Sequence, residues 1–257
     1  MDKHNTALTD LMPLTLPQLE VWMAQTIYAD LPIYNLGAYI PIQAKIDPKR
    51  FEQAVVSLVQ RHDALRIMLT QPKTDDGLPR QLIKPSFPVP FQVWDFSSKK
   101  NPLRFAQNWM RQRCDEPFTL YESPLFRFDL IKISDNCWYF FNRYHHIIMD
   151  GESHPLIYQA LAKLYTQSDA ESSGQDIYSY TAYIQDDLAY STSERYTRDT
   201  AYWREQCVTP SELLLQPRHS LLTQVPLANA IETLTLSREK YQALLALAER
   251  LGTTFYH

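Results

Sequence analysis

Two adjacent histidines, an aspartate four residues after the second and the glycine that follows it have the residue types and spacing to do chemistry: His145-His146-Ile147-Ile148-Met149-Asp150-Gly151. Such a set could bind a metal, or one imidazole, with a reference pKa of roughly 6.5, could move a proton near neutral pH. The residues ahead of it bear on the choice. From Trp138 to Ile148 aromatic and β-branched side chains dominate, and Asp135-Asn136 before them supply a turn, which predicts a long strand entered from a hairpin. Alternation along that strand puts Phe140, Asn142, Tyr144 and His146 on one face, and Tyr139, Phe141, Arg143 and His145 on the other. Two ligands on opposite faces cannot close on one ion, so a metal would have to recruit Glu152 or His154 from the next turn.

The elements that must position this set are a strand end, a short corner and a helix expected from Glu152 to about Gln167. Corners of this kind expose a side chain and aim free backbone N–H groups at whatever sits in front of them. Plainer readings compete. A lone buried histidine is commonly a packed, hydrogen-bonded core residue, and Asp150 suits the N-cap of the helix behind it.

The run His145 to Gly151 resembles the His-His-x-x-x-Asp-Gly motif of the condensation domains of non-ribosomal peptide synthetases, in the chloramphenicol acetyltransferase-like superfamily. Gln18 and Trp22 resemble that family's Ser-x-Ala-Gln-x-x-x-Trp motif, with Thr15 and Pro17 in place of the Ser and Ala. Arg61-His62-Asp63-Ala64-Leu65-Arg66-Ile67 is similar to Arg-His-x-x-Leu-Arg-Thr, with Ile67 replacing the Thr. Pro117-Phe118-Thr119-Leu120 followed by Pro124-Leu125-Phe126-Arg127 resembles Pro-Phe-Asp-Leu … Pro-Leu-x-Arg, at the expected distance before the histidines.

The resemblance implies an α+β fold: a mixed α/β two-layer sandwich, with a chloramphenicol acetyltransferase-like lobe whose mixed β-sheet is packed by helices. It places the first lobe over 1–175, with crossover helices and an incomplete second lobe over 176–257. It implies amide formation between a carrier-bound acyl or peptidyl thioester and a carrier-bound aminoacyl amine, both delivered on phosphopantetheine arms. In that scheme His146 takes or steers the amine proton, and the Gly151 N–H donates to the oxyanion. His145 packs on the other side of the strand, and Asp150 holds the corner against an arginine, Arg66 before Arg61. The fragment itself is expected to hold no cofactor and no metal, and cofactor-binding residues are unassigned.

Adenylation and carrier domains are expected downstream in a longer chain. The first motif begins within about twenty residues of Met1, so the donor is expected in trans, from a separate carrier protein or as acyl-CoA. Arg143-Tyr144-His145-His146 is also similar to siderophore-type single-module synthetases. An acyl-CoA-dependent acyltransferase of the same superfamily and a non-catalytic docking platform for carrier proteins are the alternatives.

Composition narrows the field from outside. A chain of 257 residues, 45% apolar and 12% aromatic, can bury a sizeable core. A formal charge of −4 without a Lys/Arg block argues against a nucleic-acid partner. Cys114, Cys137 and Cys207 are widely spaced and odd in number, the pattern of reduced thiols in a cytoplasmic protein. No apolar run reaches the roughly 20 residues that span a bilayer.

Local patterns supply the remaining elements. Thr15-Leu16-Pro17-Gln18 reads as a capping box opening a helix to about Tyr28, and Asp47-Pro48 opens a second to about His62. A strand is expected from Tyr34 to Gln43, a turn at Asp75-Asp76-Gly77, a strand from Arg80 to Lys84, and a Pro-rich connector from Pro85 to Pro90. A helix follows over 102–116 with Phe105, Trp109 and Met110 on its apolar face. Tyr178 to Gln206 is polar and helical, Ile231 to Leu236 alternates as a strand, and Ser237 caps a helix to about Leu251, after which Thr253-Thr254 restart another.

Overall fold

The computed structural model describes residues 11–72, 77–167, 179–209 and 234–255. The chain falls into two compact units, divided between Trp203 and Arg204. The expected lobe boundary at 175/176, the expected turn at Asp75-Asp76 and residues 231–233 of the expected strand at 231–236 lie outside the described residues, and the described remainder, 234–236, forms no strand.

The first unit is built on a four-stranded mixed sheet. It contains β2 (Asn35–Ile42), β7 (Cys137–His145), β6 (Phe126–Ser134) and β5 (Phe91–Asp95), in that spatial order. β2–β7 and β7–β6 are antiparallel and β6–β5 is parallel. A smaller antiparallel sheet joins β1 (Met12–Pro13), β4 (Arg80–Ile83) and β3 (Ile67–Leu69). The expected connector ends at Pro90, and β5 begins directly after it, in a stretch to which the sequence assigned no element. A five-residue strand at a sheet edge has little periodicity of its own, and its pairing partner lies more than thirty residues away.

Caps start the helices. Thr15 accepts from the Gln18 N–H and Gln18 reaches back to Thr15, opening α1 (Leu16–Ile27) with Pro17 in its first turn. Asp47 accepts from Lys49 and Arg50 N–H groups at the start of α2 (Pro48–Arg61), and Asn101 caps α3 (Pro102–Cys114). α3 ends two residues short of expectation, and Phe105 on it is exposed, touching Phe96 from the solvent side. α4 (Ser153–Thr166) and α2 pack together over one face of the large sheet; α3 covers the other.

Central strand β7 serves both faces. Trp138, Phe140 and Tyr144 enter the larger core with Phe51, Leu58, Phe128, Leu161 and their neighbours, while Tyr139 and Phe141 enter the second core with Ala106, Met110 and Ile131. Burial on both sides makes the strand near-continuously apolar, as in sheets covered on two faces. It also fixes register, since a one-residue slip would exchange the two sets.

α5 (Tyr180–Ser191) is tied to this unit by Asp187, which accepts from the Leu16 N–H at 2.9 Å, and by Asp63, which accepts from Ser179 Oγ and Tyr180 N. α6 (Glu194–Gln206) follows. In the second unit Ser237 caps α7 (Arg238–Arg250). Gly252, with φ +65°, closes that helix: Thr253 N donates to Ala248 O at 3.0 Å. Thr253 and Thr254 are therefore part of a helix stop and do not begin a new helix.

Candidate functional site

β7 ends at His145, three residues before the expected end at Ile148. The reason is its neighbour: β2 begins at Asn35, opposite His145, and the residue before it, Tyr34, uses its carbonyl to accept from the His146 N–H at 2.8 Å. The chain then turns, with Ile148 N donating to His145 O at 3.1 Å. Ile147, Ile148 and Met149 drop into the larger core and pin the turn from below. His146 is thus the first residue of a turn seated on apolar side chains.

The two histidines diverge sharply in surroundings. His145 is 1% exposed. Its Nδ1 accepts from the Ile147 N–H at 3.2 Å and its Nε2 lies 3.3 Å from Gln25 Oε1. Burial, with a smaller push from His146, lowers its pKa to about 4, so the ring is neutral at physiological pH. His146 is half-buried, with the Tyr34 ring edge-on at 6.1 Å between centroids.

The turn is gripped from α1. Gln18, 3% exposed, donates from Nε2 to Ile147 O at 3.2 Å. Gln18 and Gln81 exchange amide hydrogen bonds of 3.0 and 2.7 Å, and Gln81 also donates to Pro13 O. This network joins α1, β4 and the histidine turn, and its bonds between Gln18, Gln81 and Ile147 O are buried, where water cannot readily replace them.

Asp150 is exposed at the corner, where Oδ1 accepts from Ser153 N at 2.9 Å and Ser153 Oγ at 2.6 Å. Those bonds from Ser153 hold its carboxyl below the usual range, and His146 lowers it further. Gly151 is exposed, and a Cβ placed on it would meet nothing within 4 Å.

The expected arginine–aspartate pair is not the one Arg66 makes. Arg66 donates to Asp63 Oδ1 at 2.5 Å and to Lys84 O at 2.6 Å. Asp63 to Arg66 is a single 3-10 turn, which sets the two side chains together at i, i+3, so the local carboxylate captures the guanidinium. Arg61 sits in the last turn of α2, where its charge helps lower the pKa of His62, after burial as the main cause.

Two cavities have volumes of about 220 and 280 Å³: the first lies among the loop 116–124, β6 and Arg143, the second against α3. Phe118 and Arg143 line the first, Cys114 and Phe141 the second, and His146 lines neither. Among the described residues no three His, Cys, Asp or Glu side chains gather in a way that could hold a metal ion, and no helix is long and apolar enough to cross a membrane.

A family profile described as the condensation domain matches residues 9–257, the sequence from just before β1 to its last residue. The chain belongs to the condensation domain family. Among curated relatives, this condensation domain is 30% identical to surfactin synthase subunit 1 of Bacillus subtilis over 213 residues, 81% of the chain and 6% of that protein. It is 28% identical to enterobactin synthase component F of Escherichia coli K12 over 201 residues, 76% of the chain and 15% of that protein. Among solved structures it is similar to the starter condensation domain of rhizomide synthetase in complex with C8-CoA: TM-score 0.73, 33% identity, 79% of this chain and 46% of that one. The first condensation domain of the calcium-dependent antibiotic synthetase shares the fold, with TM-score 0.79 at 23% identity, over 96% of this chain and 58% of that one. The chain therefore spans under a tenth of the surfactin synthase subunit and about half of the solved rhizomide domain.

Three residues at this site escape a reading by motif. Tyr34, Gln25 and Gln81 act through contacts distant in sequence, and only Gln25 leaves a trace: a polar side chain seven residues after Gln18, on the helical face that is buried.

Proposed function

We propose that this condensation domain forms amide bonds in non-ribosomal peptide synthesis, joining an acyl or peptidyl thioester to the amine of a carrier-bound aminoacyl group. The observation that carries this is the asymmetry of the histidine pair: His145 has both ring nitrogens engaged and is sealed, while His146 stands half-buried at a corner fixed from three sides. Membership of the family supports the same reading.

The reaction follows from the chemistry of the groups. The acceptor nitrogen attacks the thioester carbonyl, the tetrahedral oxyanion collapses, the C–S bond breaks, and the proton lost by nitrogen ends on the departing thiolate. His146 accepts or steers that proton, a contribution of about 10²–10⁴ in rate. Holding two tethered reactants in line contributes beside it. The Gly151 N–H, at an open corner, is assigned to the oxyanion. Asp150 holds the start of α4 through Ser153, and His145 holds the turn. Arg66 and Arg61 support the segment between α2 and β3. Phosphopantetheine arms enter as carriers of substrate; no resident cofactor is assigned to this chain.

The donor is a carrier-bound thioester supplied in trans or an acyl-CoA. Likeness to a starter domain whose structure holds C8-CoA favours testing the second. Downstream adenylation and carrier domains complete the proposed assembly. The test uses the full-length synthetase with its loaded acceptor carrier, offered an acyl-carrier thioester or the matching acyl-CoA, with amide product measured by mass spectrometry. His146→Ala should reduce product by about 10²–10⁴-fold with either donor. Undiminished amide formation by that variant would leave the domain as a docking platform.

A further inference from the structure

α1 carries two buried glutamines, Gln18 and Gln25, two turns apart on one side of the helix. Gln18 holds the Ile147 carbonyl. Gln25 acts on the other backbone group of the same residue, the Ile147 N–H, through His145. Its own amide is oriented by two carbonyls: Nε2 donates to Tyr28 O at 2.8 Å and to Leu31 O at 3.0 Å, which leaves Oε1 facing His145 Nε2. An acceptor there requires a hydrogen on Nε2. On the far side of the ring the Ile147 N–H donates to Nδ1, which requires a bare lone pair. One form of imidazole meets both demands, the neutral ring with its hydrogen on Nε2.

We propose that Gln25 is a positioning residue for the reaction at His146: it fixes His145 as the neutral Nε2–H form, and that form clamps the Ile147 peptide from which the His146 turn hangs. This rests on the reading of His146 as the reacting imidazole. A hydrogen on Nδ1, in the other tautomer or in the imidazolium, would point at the Ile147 N–H and expel it. The surroundings of the ring resist the charged form. Gln25 from α1, Tyr34 from the loop before β2, Phe118 from the loop before β6 and His146 lie against it, and the charged pair on this strand face, Arg143 with Glu116, is internally engaged. Burial is the main reason the ring stays neutral.

The experiment compares Gln25→Glu with Gln25→Met in the full-length synthetase, reading kcat and KM across pH together with hydrogen exchange at the Ile147 amide by mass spectrometry. Both variants lose the amide donors to Tyr28 and Leu31; only the glutamate puts an anion on His145 and favours the imidazolium. Q25E should lose about 10–100-fold in kcat near pH 7 with KM little changed, and Q25M clearly less. The lost rate should return as pH rises through a new ionisation between about pH 6 and 9. The Ile147 amide should exchange faster in Q25E. In the unaltered protein that amide should lose protection as pH falls towards 4, a reading that needs no variant. Unchanged Ile147 exchange in Q25E, equal and pH-independent losses in the two variants, or full protection of the unaltered protein at pH 4 would each overturn the proposal. Exchange does not depend on turnover, so retained activity of a His146→Ala variant would remove the functional reading while leaving the exchange result to decide the role of Gln25.

Discussion

The last residue of β7 and the first residue of the turn after it are both histidine, one peptide apart, and the fold treats them as different substances. His145 is enclosed by Gln25, Tyr34, Phe118 and the Ile147 amide, and its pKa is driven to about 4. His146 has its backbone N–H bound to Tyr34 and its side chain half-buried. The lesson is where specificity arises. Strand alternation alone separates the two rings, but the strand stops between them. What differentiates them is the termination of the ladder at Asn35–His145, which turns the next residue out of the sheet.

Breaking that comparison most severely means deleting each ring in turn. His146→Ala in the full-length protein should reduce amide formation by about 10²–10⁴-fold while leaving the unfolding midpoint unchanged within error. His145→Ala should act through the fold, orphaning the Ile147 N–H and Gln25 Oε1 and lowering stability by about 1–3 kcal/mol for each group left unsatisfied. Equal loss of stability in the two variants would erase the distinction.

Titration is the next largest lever. The His145 pKa moves from 6.5 unfolded to about 4 folded. The unfolded chain therefore binds more protons over that interval, and the neutral ring's contribution is fully present above pH 6.5 and lost as pH falls towards 4. The difference corresponds to about 3 kcal/mol. Urea unfolding between pH 7 and 4 should show this decline, and His145→Gln should flatten it. A decline of the same size in that variant would assign the effect to other groups.

Much of this was legible in the residue pattern. The side of β7 on which Trp138, Phe140 and Tyr144 lie, and the opposite side with Tyr139 and Phe141, follow from a period of two, and the capping box at Thr15 and Gln18 follows from a local spacing. What stayed hidden was non-local. β5 is defined by its parallel partner β6, the end of β7 is defined by where β2 begins, and Arg66 takes Asp63, three residues away, in place of Asp150. Gln18 stands on the border. Its cap was visible, whereas its bond to Ile147 O required the fold.

That border residue supplies a smaller perturbation. Gln18→Met keeps the side-chain length and removes both the oxygen and the nitrogen of the amide, so Gln81 and the Ile147 carbonyl each lose a buried partner. A loss of about 1–3 kcal/mol in unfolding free energy is expected. The variant should also reduce kcat more than KM, because the carbonyl it releases belongs to the turn carrying His146. Stability loss with unaltered kcat would mean that His145 alone fixes the turn.

Gly151→Ala is the finest test, because the fold and the reaction should answer it differently. A Cβ on Gly151 meets nothing within 4 Å, and its backbone does not have the positive φ that favours glycine at Gly77 and Gly252. Among the described residues no steric or conformational reason demands glycine there, so stability should stay within about 0.5 kcal/mol of the parent. If the corner is glycine because a tetrahedral intermediate must approach the Gly151 N–H closely, the added methyl group stands in the path of the substrate instead. Amide formation should then fall with folding intact, and the loss should grow with the bulk of the donor acyl group at its carbonyl end. Parent-like kcat for a branched donor would move the oxyanion donor elsewhere on the corner and leave His146 as the site's one assigned reacting group.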